Sequence, residues 1–154
     1  MNILYRKFLF IAFVFSACLS ASAIADEMIM ARSERDFSEA MNVLQQAITE
    51  HGYTLAKVQR IDVGLEAKGY KTDQYRVVFY GKPEEIASLS EHYPQLIPFL
   101  PLSVAIFAEG NQTMLATTRP RAFKALFTDK ALQSIFEHWD SDLVGIFEEV
   151  RQSH

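Results

Sequence analysis

Residues 103–118, SVAIFAEGNQTMLATT, constrain the fold of this chain more than any other stretch. Two β-rich runs flank Glu109-Gly110-Asn111-Gln112, and a connection that short joins only antiparallel neighbours. The pattern predicts strands over Ser103–Ala108 and Thr113–Thr118, and hence an antiparallel sheet.

Three further strands are expected. QYRVVFYGK (74–82) is the clearest, with Tyr75, Val77, Phe79 and Gly81 on one side and Arg76, Val78 and Tyr80 on the other. DEMIMARS (26–33) alternates so that Met28, Met30 and Arg32 share a face. YTLAKVQRIDV (53–63) has strand composition, and its alternation slips near Lys57, where a bulge is expected.

Helices fill the intervals. Ser33 as N-cap and Asp36 as its capping-box partner predict a helix with Phe37, Met41, Leu44, Ala47 and Ile48 on one face, ending at Gly52. GLEAKGY reads as one helical turn between Gly64 and Gly69. Pro83 suits a first helical turn, Glu84 and Glu85 complement its dipole, and that helix runs to about Tyr93 before Pro94. QLIPFLPL follows as an irregular apolar connection.

After Pro120, RAFKALFTD predicts a short amphipathic helix with Phe123, Leu126 and Phe127. KALQSIFEHWDSDLVGIFEEVRQ predicts a longer one carrying Phe136, Trp139, Leu143, Ile146 and Val150 inward. The order is strand, helix, two strands, helix, two strands, helix, which places the chain in the α+β class as a single domain.

The first residues, MNILYRKFLFIAFVFSACLSASAIADE, read as a secretory signal peptide: a basic head with Arg6 and Lys7, an apolar run from Phe8 to about Leu19, and a small-residue tail. Ala23-Ile24-Ala25 offers small residues at the two positions a signal peptidase inspects, so cleavage is expected after Ala25, dividing the chain into 1–25 and 26–154. A membrane span is the alternative, but the run is shorter than the roughly 20 residues a spanning helix needs. A lipoprotein is another, since Phe15-Ser16-Ala17-Cys18 loosely resembles a lipobox. Export to a bacterial periplasm is the expected localisation.

Cys18 is the only cysteine, and cleavage removes it. A mature chain without disulfides or thiolates must be held by its core. The sequence has 15 Lys+Arg against 19 Asp+Glu, and the leader takes two of the basic residues. Nucleic acid is therefore not an expected partner, because its phosphates demand a basic face.

IPFLPLSVAIF (97–107) raises two alternatives. Pro98 and Pro101 stiffen the entry to a buried strand, or Phe99 lines a ligand groove. The basic stretch RPRAFKALFTDK gathers Arg119, Arg121 and Lys124 among aromatic residues, as a solvated face or as a contact for an anion or partner.

Metal ligation would fall to histidine, methionine, tyrosine or carboxylates. His51, His92, His138 and His154 never recur at i, i+3 or i, i+4, and His138 with Asp140 and Asp142 has the most ligand character. Met28-x-Met30 has the spacing of a copper-binding pair and would need Met41 or Met114 as a third ligand; packing into the core is the expected role. No G-x-S-x-G or S-x-x-K context surrounds a serine, so no catalytic residues are assigned.

From Ser33 to Val150 the chain resembles the DUF302 family. The resemblance is carried by FSEAMNVLQQAITEHGY, by YGKP at 80–83, by LPL at 100–102, and by a hairpin around a glycine turn followed by a pair ending in Pro120. It implies a compact α+β domain, with a curved antiparallel sheet covered by helices, and it allows a homodimer. Lys82 stands where the family commonly has Asn, and Pro98-Phe99-Leu100 and Thr118-Arg119-Pro120 lack acidic residues often found there.

Two functions fit these expectations. One is an exported binding or interaction module for a protein or small molecule, with Tyr80, Lys82 and Phe99 as its groove. The other is a redox accessory or enzyme that acquires haem or copper, although no cofactor is predicted from the residues themselves.

Overall fold

The structure, a computed structural model, describes residues 27–152. The expected leader, Cys18, the cleavage point at Ala25, Asp26 and His154 lie outside the described residues.

Five strands, β1 (Met28–Ser33), β2 (Thr54–Arg60), β3 (Tyr75–Gly81), β4 (Leu102–Glu109) and β5 (Gln112–Thr118), form one sheet in the order β1-β5-β4-β3-β2. Every neighbouring pair is antiparallel. The hairpin expected at 103–118 is the β4–β5 pair, closed by Glu109 opposite Gln112, with Gly110 at φ +63° in the left-handed region that glycine tolerates best. The irregularity expected near Lys57 is a register shift between Leu55 and Lys57.

Helix α1 (Phe37–Glu50) carries the chain from β1 at one edge to β2 at the other. Helix α4 (Lys130–Arg151) packs beside it. Leu44 and Ile48 of α1, Val78, Val104, Ile106 and Leu115 of the sheet, and Leu143 and Ile146 of α4 are buried in one core. Each such aliphatic side chain contributes about 1.5–3 kcal/mol when fully withdrawn from water, which lets a core of this size hold the domain without covalent staples. Two short helices, α2 (Ile61–Glu66) and α3 (Pro83–His92), and 3₁₀ segments at Pro94–Phe99 and Pro120–Ala125 complete the described residues.

The structure corrects four local expectations. Asp36, not Ser33, caps α1, by accepting from Glu39 N at 2.9 Å. Ser33 is buried at the end of β1 and donates to Val150 O of α4 at 2.8 Å, where the Arg35 guanidinium also donates at 2.7 Å. The two tie the first strand to the last helical turn.

Met28 and Met30 are not core residues: they are 50% and 59% exposed. In β1 the alternate positions Ile29 and Ala31 pack against the core, because Ala31 pairs with the buried Leu115.

Strand β2 stops at Arg60 instead of running to Val63. Arg60 pairs with Arg76 and β3 begins one residue earlier, at Tyr75, so residues beyond Ile61 have no ladder to join and the chain coils into α2. Asp62 of that turn is buried and forms an ion pair with Arg76.

RAFKALFTD, finally, forms a 3₁₀ segment in place of an amphipathic α-helix. Gln133 of α4 donates to the carbonyls of Lys124 and Phe127, taking up acceptors that a longer helix would have used and turning the chain into α4.

Candidate functional site

The two 3₁₀ segments stand over one end of the sheet, where β4 begins and β5 ends, and leave an open groove of about 550 Å³. Phe79, Pro98, Phe99, Pro101, Phe123 and Leu126 give it an apolar lining, with the polar atoms of Ser103, Thr117 and Glu27 beside them. Prolines set this shape. Pro94 starts the first segment, Pro98 lies within it, and Pro120 starts the second.

Phe99 is held by stacking. Its ring centroid lies 5.0 Å from that of Phe123 and 5.9 Å from that of Phe127, and Phe123 stands edge-on to the fully buried Phe136. Offset and edge-on geometries of this kind add about 0.5–1.5 kcal/mol per pair beyond area burial. One wall of the groove is thus rigid, whereas Leu126 at the rim is 64% exposed.

Of the expected groove residues, Tyr80 and Phe99 line this one space and Lys82 does not. The Lys82 ammonium sits over the Tyr53 ring, 4.7 Å from its centroid. Tyr80 is nearly wholly buried, edge-on to Tyr53 at 5.3 Å, and burial, then the nearby Asp142 charge, push its phenol above its ordinary pKa.

The three basic residues Arg119, Arg121 and Lys124 line a second open pocket of about 690 Å³, together with Glu27, Glu137 and Asp140. Arg119 grips Asp140 with two nitrogens, Nε at 2.9 Å from Oδ1 and Nη2 on Oδ2, which raises its guanidinium pKa further. Lys124 pairs with Glu137. The expected basic patch is therefore a pocket of alternating charges.

His138, Asp140 and Asp142 do not act together. Asp140 turns to Arg119, while Asp142 lies on another side of α4 and faces His138 at 3.3 Å, Tyr53 Oη at 2.7 Å and His51 Nδ1 at 3.9 Å. The opposite ring nitrogen of His51 is 3.0 Å from Glu149. His51 fits because Gly145 has no side chain: a Cβ there would stand 2.6 Å from the imidazole Cε1.

Burial first, then the hydrogen bond to Asp142, push the Tyr53 phenol far above its ordinary pKa. Sequence spacing concealed this seam, since His51 lies 98 residues from Glu149. The helical spacing of His138, Asp142, Gly145 and Glu149 on one face of α4 was its only available signal.

Met28, Met30 and Met114 share the sheet face that turns away from α1 and α4, whereas Met41 packs against the core on the other side. Of the two third ligands considered from sequence, Met41 is thus apart from the Met28 and Met30 pair, while Met114 lies on their face with its sulfur accepting from Arg32 Nε at 3.3 Å. Among the described residues, no group of three or more His, Cys, Asp or Glu side chains is placed to hold a metal ion. No helix among them is long and apolar enough to cross a membrane.

A small α+β domain with an open, mainly apolar groove between proline-started 3₁₀ segments is the class these features define. The chain belongs to the DUF302 family: the model for this domain of unknown function matches residues 29–150. It is similar in fold to the crystal structure of an uncharacterized conserved DUF302 protein from Bacillus stearothermophilus, with a TM-score of 0.72 and 17% identity, covering 80% of this chain and 98% of that one. No curated protein matches the chain.

Proposed function

We propose that this protein is an exported binding module that holds an apolar or aromatic small molecule in the groove between Pro94–Phe99 and Pro120–Ala125. The groove itself carries the proposal: its 550 Å³ and apolar lining fall within the range of about 300–1,000 Å³ usual for small-molecule sites. Phe99 anchored on Phe123 and Phe127 supplies a preformed aromatic wall, and a wall ordered in advance costs little to order on binding. Export rests on the leader pattern of residues 1–25, and the bacterial periplasm is the compartment it suits.

A fluorescent apolar probe such as N-phenyl-1-naphthylamine tests the site. We expect saturable binding that weakens about tenfold, or 1.4 kcal/mol, in Phe99→Ala and in Leu126→Glu. Lys82→Ala, which alters a residue over Tyr53 and outside the groove, should bind as the parent does. Equal affinity in all four proteins would remove the groove from consideration.

A further inference from the structure

The apolar groove and the charged pocket are neighbours. Glu27, Ala122 and Ala125 line both of them. Each alanine carries only a methyl group, so the 3₁₀ segment Pro120–Ala125 is a sill shared by an apolar space and one of mixed charge.

We infer that the natural ligand is a single-chain zwitterionic amphiphile, a phosphate and an ammonium on one acyl or alkyl chain, with its tail in the groove and its headgroup across the sill. The inference rests on the groove being the binding site proposed above.

Charge complementarity selects the headgroup. The pocket sets Arg119, Arg121 and Lys124 against Glu27, Glu137 and Asp140, so a simple anion or cation meets as many like charges as opposite ones. A dipolar headgroup meets opposite charges at both of its ends.

The two ion pairs differ in what they can yield. Arg119–Asp140 is bidentate and mostly withdrawn from water, and stays as a fixed wall. Lys124–Glu137 lies at the surface, with Glu137 62% exposed, and such pairs are held weakly. Opening it frees an ammonium for the ligand phosphate and a carboxylate for the ligand ammonium. Ser141 adds a hydroxyl to the same pocket.

The test is displacement of the naphthylamine probe by three amphiphiles of equal chain length below their micelle concentrations: dodecylphosphocholine, dodecanoate and dodecyltrimethylammonium. We expect dodecylphosphocholine to compete at least about tenfold more tightly than either singly charged chain. Lys124→Ala/Glu137→Ala should lose that preference while binding the probe as before. Equal competition by the three amphiphiles, a preference for dodecanoate, or a preference that survives the double substitution would each overturn the headgroup assignment and leave the groove standing. Failure of the probe and of all three amphiphiles to bind, by displacement and by calorimetry, would overturn the groove and the headgroup together.

Discussion

Helix α4 presents two polar stripes with opposite fates. Glu137, Asp140, Ser141 and Val144 face an open pocket, whereas His138, Asp142, Gly145 and Glu149 line a seam occupied by His51 and Tyr53. Both stripes follow the same helical spacing, and both carry carboxylates. Their difference comes from across the gap. The end of α1 offers an imidazole and a phenol that pack into the seam and meet its carboxylates, while the 3₁₀ segment sets Ala122 and Ala125 beside the long side chains of Arg121 and Lys124 and leaves volume. Polar composition on a helix does not distinguish a filled seam from an open pocket; how the opposing side chains fill the space does.

The largest effect should come from refilling the space that Gly145 leaves. Gly145→Ala gains helix propensity of about 1 kcal/mol but drives a methyl into the His51 ring, an overpacking cost of about 1–3 kcal/mol. In a His51→Ala background the clash is gone and the same substitution should stabilise, giving a coupling of about 2 kcal/mol in a double-mutant cycle by denaturant unfolding. Additive effects would mean that the seam is not tightly filled, and the contrast with the pocket would collapse.

Next in size is Tyr53→Phe, which removes the hydrogen bond to Asp142 and should cost about 0.5–1.5 kcal/mol at neutral pH. The phenol also gives the seam an alkaline signature. Its folded pKa is raised, so the native state keeps a proton that the unfolded chain releases near pH 10, and stability present below that pH is lost as pH rises above it. Tyr80, raised by burial, adds a second loss of the same sign. Each contributes a slope of up to about 1.4 kcal/mol per pH unit, and Tyr53→Phe should reduce the alkaline slope by one such share. An unchanged slope would mean that Tyr53 ionises as freely in the folded protein as in the unfolded one.

The smallest effect on stability should be at the sill. Ala122→Val adds two methyl groups toward open volume, so melting should move by less than about 0.5 kcal/mol equivalent. Amphiphile binding should nevertheless weaken, because the added methyl groups stand on a residue that lines both groove and pocket. A marked loss of stability there would show that the sill is packed like the seam.

Much of the fold was legible in local patterns. The hairpin announced itself through Gly110-Asn111 between two alternating runs, α3 through Pro83 and its two glutamates, and the β2 bulge through a slipped alternation at Lys57. These are short-range signals, in which turn chemistry and side-chain period act over a few residues. Phe99 and the basic stretch were likewise singled out from sequence, but their pairing in space, Phe123 and Phe127 around Phe99 and Asp140 on Arg119, was not.

Other features depended on contacts that no local window contains. Alternation grouped Met28 with Met30, but only pairing with β5 decided that Ile29 and Ala31 face the core. A cap was expected at Ser33, yet the last turn of α4 claimed its hydroxyl. Asp140 and Asp142, two residues apart on one helix, point to Arg119 and to His51 because a helix turns about 100° per residue.

The sequence alone determined most of the elements, their order and the antiparallel class, because turn chemistry, proline placement and hydrophobic period act on the chain nearby. Tertiary structure decided which polar groups meet, which side of each strand is dry, and where volume is left unfilled, because those depend on side chains that folding brings together from distant positions.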